Sequence, residues 1–137
     1  MTNLNRASGS SNEALKIINH FDVQPNVQLT NEISATELVP PSDTGDLSAH
    51  KIWIPPNAAY PPHTHPSPHI IIVEEGGGWV RLNEKEAPLK SGDVFHVPAQ
   101  AVHQVGADAR GMIMIALSAG SKRLTDPDRL RVCDEVA

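Results

Sequence analysis

Prolines and glycines interrupt this chain at short intervals along its whole length. The 137 residues include 12 prolines and 9 glycines, while aromatic residues make up only 4%. Proline ends helices and removes a backbone donor, and glycine favours turns, so the regular segments between them are short. Many short segments separated by turn residues are typical of an all-β sandwich or barrel.

The segments between these interruptions have the composition of β-strands. The run from His69 to Val73 is almost continuously β-branched, which is typical of a strand buried on both faces. Turns are predicted at Gly76–Gly78, after this run, and at Asp108–Gly111. We predict eight short strands, near residues 27–30, 37–39, 50–54, 69–73, 79–82, 94–97, 101–105 and 112–117.

The length suits one domain with one hydrophobic core. We expect an N-terminal arm over residues 1–25, a barrel over 26–120 and a C-terminal tail over 121–137. Ser10 with Glu13 is a capping-box signature, which predicts a short helix near the N-terminus. A frayed arm is the alternative there, because short helices are marginal alone.

The predicted N-terminal helix covers about residues 11–20, and a second short helix is expected in the C-terminal tail. Thr125, Asp126 and Pro127 form a helix-start signal there, since proline is tolerated in the first turn. Both helices would flank the barrel and leave its all-β character unchanged.

The charge and apolar pattern exclude several classes of partner. A net charge of −5 argues against nucleic-acid and anionic-membrane surfaces, which need a basic patch. No apolar run is long enough to span a membrane. Met1 to Ser11 is polar and does not resemble a secretory signal, and Cys133 has no partner for an internal disulfide. A cytoplasmic location is therefore expected.

Three of the seven histidines fall within seven residues, as His63, His65 and His69. Residues two apart in an extended segment point the same way, so His63 and His65 can reach one point. His69 joins them if the proline-rich loop before it folds back. Imidazole is the commonest protein ligand for transition metals, so the spacing predicts a metal site. A surface cluster that binds metal adventitiously is the alternative, and His20 and His50 are expected to be ordinary structural residues.

A second pattern follows the histidine cluster along the chain. Gly92, then Pro98 and His103 suggest a turn, a strand, a proline stop and a fourth imidazole. This pattern resembles the second motif of the cupins, which are small double-stranded β-helix barrels of the jelly-roll type, and the His-x-His pair resembles their first motif. Gln100 stands where that motif has glycine, and Ala107 stands where it has asparagine.

The resemblance covers about residues 47–118. In the first cupin motif, His63 and His65 match the histidine pair and Gly76 matches a glycine, whereas His69 stands in place of a glutamate. The resemblance implies one divalent ion held by these three histidines and His103: iron, manganese, zinc, nickel or copper.

Exchange of the usual carboxylate for His69 keeps the double positive charge of the ion, which favours an anionic ligand such as an enolate or a carboxylate. Four imidazoles would close a tetrahedral zinc site, but they leave one or two positions open on a five- or six-coordinate ion. The sequence leaves open whether His69 stays ligated or swings away to admit substrate.

Three other side chains are candidates for a role beside the metal. His96 lies in a predicted strand, but the sequence does not show whether it or its neighbours face inward. Gln100 lies near the predicted mouth, where it could orient a ligand or simply cap the turn. Tyr60, together with Trp53 and Trp79, could close the mouth, although each could equally be plain core.

No phosphate-binding glycine loop and no Ser-His-Asp pattern occurs, so the metal is expected to do most of the chemistry. The resemblance implies an enzyme that acts on a small carbonyl or enolisable substrate, in the first place a dioxygenase. A non-redox cyclase, isomerase or lyase and a ligand-binding protein without turnover are the alternatives. We also predict a homodimer, because a barrel buries only one face of the run that contains Ile70 and Ile72. The chain's own N-terminal strands could cover that face instead.

Overall fold

The computed structural model describes residues 17–41, 47–119 and 131–133. In these residues the regular structure is almost entirely β, with short 3₁₀ turns at His20–Asp22 and Thr30–Glu32. No helix in this part of the chain is long and apolar enough to cross a membrane. Its strands are β1 Val27–Gln28, β2 Ser34–Val39, β3 Leu47–Ile54, β4 His63–Thr64, β5 His69–Leu82, β6 Lys85–Lys90, β7 Val94–Val97, β8 His103–Ala119 and β9 Arg131–Val132.

Two long antiparallel strands, β5 and β8, form the centre of the fold. Their pairing runs from His69 opposite Ser118 to Leu82 opposite His103, with register shifts near the middle. The first half of β5 also pairs with β7 and the second half with β6, while β8 also pairs with β3 and β4. β2 and β1 extend the sheet from β3, and β9 extends it from β4. The result is the all-β barrel predicted from the sequence.

The two predicted turns within these long strands are wrong. β5 continues through Gly76–Gly78, and β8 continues through 108–111. The glycines allow the two strands to approach each other closely and do not reverse the direction of the chain. Gly76 has a φ of 79°, and a Cβ added at Gly78 would overlap the carbonyl oxygen of Gly106. The strands can therefore bend and remain paired only with glycine at these positions.

The terminal predictions are tested only in part. Residues 11–16 lie outside the described residues, 17–19 are not helical, and a 3₁₀ turn begins at His20. The helix-start signal at 125–127 also lies outside the described residues. Arg131–Val132 is a strand that pairs with β4, so this part of the predicted tail belongs to the barrel sheet.

Alternate residues of β3, β5 and β8 face the interior, and the register of these strands aligns them in rows. One row is polar and buried, the next is mixed, and the third is apolar. The interior wall therefore carries histidine side chains next to the hydrophobic core. The rows are Ser48–Ser118–His69, His50–Ala116–Ile71 and Ile52–Met114–Val73.

The outer side of β3 carries a buried cation, Lys51, which is 4% exposed. Its ammonium donates to the carbonyl oxygen of His20 at 2.9 Å and lies 3.5 Å from the carboxylate of Glu74. The Nδ1 atom of His20 lies 3.2 Å from the same carboxylate. His20, which the sequence predicted at the end of a helix, instead begins a 3₁₀ turn packed against this ion pair.

Candidate metal centre

His63 and His65 are brought together by the short strand β4. Because they are two residues apart in extended backbone, their side chains point the same way, as the spacing predicts. Their Nε2 atoms lie 3.0 Å apart. The two rings meet edge to face, and their exposed fractions are only 2% and 7%. Both imidazole rings are therefore buried in the protein interior, and His63 and His65 are not surface residues.

His103 completes a compact group with this pair. It begins β8, and its Cα is the register partner of His63 on β4. The ring centroids of His63 and His103 are 4.1 Å apart. One ligating nitrogen from each of the three buried histidines lies within 4.8 Å of the other two. Strand pairing between β4 and β8 therefore assembles the centre from residues about 40 positions apart in the sequence.

His69 lies in the same cavity but outside the compact group. It begins β5, is 5% exposed, and its ring centroid lies 4.2 Å from that of His65. All four histidines that the sequence singled out line one cavity. The group with metal-ligand spacing contains three of them, so the structure gives a three-histidine centre with a fourth imidazole beside it.

Backbone carbonyls fix the orientation of two of the rings. The Nδ1 atom of His63 lies 2.7 Å from the carbonyl oxygen of Pro61, and that of His103 lies 3.0 Å from the carbonyl oxygen of Ala101. A carbonyl oxygen only accepts, so each Nδ1 carries the proton and donates it. Each Nε2 then presents a lone pair, which is the tautomer that a metal ligand requires.

Burial keeps His103 in the form that binds metal. Desolvation lowers the pKa of His103 below its ordinary value, and the hydrogen bond to Ala101 opposes this effect only in part. The neutral imidazole is therefore the stable form at neutral pH. This is the protonation state in which Nε2 can coordinate an ion.

The lowered pKa predicts a pH dependence of the metal-free fold. The unfolded chain binds a proton at His103 more readily, so this residue contributes stability above the ordinary histidine pKa. That contribution is lost as the pH falls through the lower pKa of the folded state. We expect chelator-treated protein to lose more stability between pH 7.5 and 5 than a His103→Gln variant, measured by urea unfolding. An equal loss in both proteins would contradict the assignment.

The donor set and the space suit a transition-metal ion. The histidines line a cavity of about 30 Å³, room for an ion and about one water molecule. No carboxylate lies among the described residues that line it. Two nitrogens bonded to one ion at about 2.1 Å are about 3.0 Å apart when the bonds are at right angles. The spacing of His63 and His65 is therefore compatible with adjacent ligands on one ion.

Of the three other candidate side chains, the structure places Tyr60 in the cavity wall and places His96 and Gln100 outside it. Tyr60 is 5% exposed, lines the cavity, and its ring centroid lies 5.2 Å from that of His63. His96 is exposed and pairs with Ile70 on the outer face, so it does not reach the cavity. The inward residues of β7 are instead Phe95, packed against the core, and Val97. Trp53 and Trp79 are not among the lining residues.

Gln100 supports the site through its backbone. Its side chain is exposed and is not part of the cavity wall, but its N–H donates to the carbonyl oxygen of His65 at 2.8 Å. Its φ is 64°, in the left-handed region that favours glycine. This conformation explains why a glycine would suit the position.

Gln100→Gly is expected to stabilise the protein by about 0.5–1 kcal/mol. The left-handed conformation costs a non-glycine residue about 1–2 kcal/mol, and the extra chain entropy of glycine offsets about 0.5–1 kcal/mol of this gain. Urea unfolding measures the change, with Gln100→Ala as the matched control that should be nearly neutral. A glycine variant less stable than the alanine variant would show that backbone strain is not the cause.

One cavity residue was missed from the sequence. His50 on β3 is 6% exposed and lines the same cavity as the other four histidines. The alternation of His50 with Ile52 and Ile54 was the available signal, because it places the imidazole on the inner face of its strand.

Comparisons with known proteins agree with this architecture. Residues 51–119 match the family model described as a cupin domain. No curated protein sequence matches the chain significantly. A cupin-like protein from Thermotoga maritima is 21% identical, with a TM-score of 0.69 over 85% of this chain and 90% of that one.

Two enzymes also share the fold. The polyketide cyclase RemF from Streptomyces resistomycificus is 19% identical, with a TM-score of 0.70 over 90% of this chain and 88% of that one. A variant of the salicylate 1,2-dioxygenase from Pseudoaminobacter salicylatoxidans is 20% identical, with a TM-score of 0.61 over 69% of this chain and 28% of that one. At these identities the similarity establishes the barrel alone.

Proposed function

The chain belongs to the cupin domain family, and on this premise we propose that it is an enzyme that uses one divalent transition-metal ion. The substrate class is a small carbonyl or enolisable compound. One observation carries the proposal: His63, His65 and His103 present nitrogens within 4.8 Å of one another inside a buried cavity. Three buried imidazoles with this spacing, two of them oriented by backbone carbonyls, form a donor set suited to a cation.

His69 is proposed as the fourth ligand. Its ring lies against that of His65 in the same cavity, so a ligand position is within reach of a side-chain rotation. Ligation by three nitrogens leaves three positions on a six-coordinate ion, and ligation by four leaves two. A fourth ligand that can leave would open a further position for substrate.

The chain's own residues prepare the site for an anionic ligand. The bound metal would act as a Lewis acid toward a carbonyl or enolate oxygen and, if redox-active, would support oxygen chemistry. Neutral imidazoles leave its positive charge uncompensated, which favours an enolate over the neutral ketone. Ile71, Val105 and Met114 line the remaining wall and keep water out. Tyr60 supplies a phenol beside His63.

Dioxygenation is the first proposed reaction. Whether three or four histidines bind it, a six-coordinate ion keeps at least two positions open, and substrate and oxygen need two such positions side by side. A non-redox cyclase, isomerase or lyase is the second candidate. The similarity to a polyketide cyclase, which covers nearly the full length of both chains, favours this candidate.

The two reactions are separated by metal and oxygen dependence. Untagged protein is reconstituted anaerobically with Fe(II), Mn(II) or Zn(II) and mixed with a panel of the smallest β-diketones and 2-oxo acids, as the small cavity requires. Oxygen uptake matched to substrate loss in the iron protein supports the dioxygenase. Turnover by the zinc protein without oxygen supports the second candidate. Tight ligand binding without turnover under every condition contradicts an enzymatic function and leaves a binding protein.

We also propose a homodimer formed through the outer face of β5 and β7. Ile70 and Val94 are 45% and 62% exposed on these neighbouring strands, where Ile72 pairs with Val94. Light scattering after gel filtration should give a dimer for the wild type and a monomer for Ile70→Lys combined with Val94→Lys. The matched control is Val39→Lys, which changes an exposed apolar residue on β2 and should leave the dimer intact. A monomeric wild type would contradict the proposal.

A further inference from the structure

A fifth buried imidazole faces the proposed metal centre from a separate strand. His50 projects from β3, which carries none of the three grouped histidines, and it is 6% exposed. Its register partner on β8 is Ala116, whose small side chain leaves the cavity open in front of this wall. The imidazole is therefore held in the cavity by the strand alternation of β3 and not by a flexible loop.

His50 lines the cavity without belonging to the metal-ligand group. The compact group consists of His63, His65 and His103, whose ligating atoms meet within 4.8 Å. The space that all of them share is only about 30 Å³. Such a space holds about two water-sized groups, so a ligand atom bound to the metal there lies close to the wall that carries His50.

Few polar groups are available to such a ligand. Apart from the three grouped histidines, the polar side chains among the described lining residues are those of His50, Tyr60 and His69. The rest of the wall is aliphatic. With His69 as the proposed fourth ligand, an oxygen of the substrate that does not bind the metal has His50 and Tyr60 as hydrogen-bonding partners. Hydrogen bonds in such dry surroundings discriminate strongly between ligands.

We propose that His50 is a substrate-binding residue that hydrogen-bonds to a compact oxyanion ligand on the metal, such as an enolate or a carboxylate. This inference rests on the proposed metal-dependent function. His50 selects ligands that place a hydrogen-bonding atom next to the metal-bound one. Ligands of the same size without such an atom do not form this hydrogen bond and bind more weakly.

The test uses Co(II)-substituted protein and azide, a small anion whose binding to cobalt changes the visible spectrum. His50→Leu should keep about one equivalent of cobalt and bind azide at least about 10-fold more weakly, because a hydrogen bond to a charged group is lost. His50→Gln keeps a hydrogen-bonding side chain and should recover part of the affinity. His96→Leu removes an exposed histidine from the outer face and should bind azide as the wild type does.

The outcomes separate this inference from the function on which it rests. Unchanged azide affinity in His50→Leu, or cobalt lost from that variant while it remains folded, overturns the role of His50. A wild type that binds no cobalt overturns the proposed function itself. If His50→Leu does not fold, His50→Phe retains the ring volume without hydrogen bonding, and the same loss of azide affinity is expected.

Discussion

Replacing His63 and His65 together with alanine is expected to abolish metal binding. These residues supply two of the three nitrogens in the compact group, and their Nε2 atoms are 3.0 Å apart. His103, even with the proposed ligand His69 beside it, supplies too few nitrogens to hold a divalent ion against water, so bound metal should fall from about one equivalent per chain to less than about a tenth. Elemental analysis of untagged, reconstituted and desalted protein measures this directly.

The control for this variant is His96→Ala, which removes an exposed histidine from the outer face and should retain the metal. Circular dichroism establishes that the double variant is folded before its metal content is compared. A folded double variant that still binds one equivalent would place the metal elsewhere and refute the assigned centre.

Gly78→Ala is expected to destabilise the barrel strongly. A methyl group at this position on β5 would overlap the carbonyl oxygen of Gly106 on the paired strand β8. The Gly106 oxygen and the Cα that carries the methyl group belong to the backbones of paired strands. The overlap can therefore be removed only if the two strands move apart. We expect a loss of at least about 3 kcal/mol in the free energy of unfolding, or failure to fold at 37 °C.

Gly92→Ala is the matched control for this steric argument. Gly92 has a φ of 95°, but an added Cβ there meets nothing within 4 Å. Its alanine variant should therefore lose only about 1–2 kcal/mol, from backbone strain alone. Urea unfolding compares the two variants. Equal losses would contradict the steric account of the contact between β5 and β8.

The barrel and the inward histidines were predictable where local alternation determines them. The spacing of His63 and His65 required only an extended backbone to bring their rings together. The β-branched run on β5 identified a core strand, and Ile70 lies on the outer face as its position in the run predicts. These features depend on residues close in the sequence, so no knowledge of strand pairing was needed.

Features that depend on pairing between distant segments could not be predicted from local sequence patterns. The inward face of β7 is decided by the register of His96 against Ile70, which no local pattern determines. The strand at 131–132 exists because it pairs with β4, and tertiary pairing there takes precedence over local propensity. His69 lies beside the compact group and not within it because the loop from β4 to β5 sets its position.

His50 shows that local alternation can place a residue in the interior without showing that it belongs to the site. Its alternation with Ile52 was visible in the sequence, but that pattern alone describes an ordinary core histidine as well as a site residue. Only the shared cavity distinguishes the two, because it places the imidazole of β3 next to residues of β4 and β8. Residues that act together but come from separate strands need the folded barrel to be recognised.

One metal ion is expected to bind at His63, His65 and His103, and an anomalous difference map would locate it. Crystals of the reconstituted protein are measured on both sides of the absorption edge of the bound metal. One strong peak about 2.0–2.2 Å from the Nε2 atoms of all three histidines is predicted. A peak bound only at exposed histidines, or no peak in the cavity of fully reconstituted protein, would contradict the account.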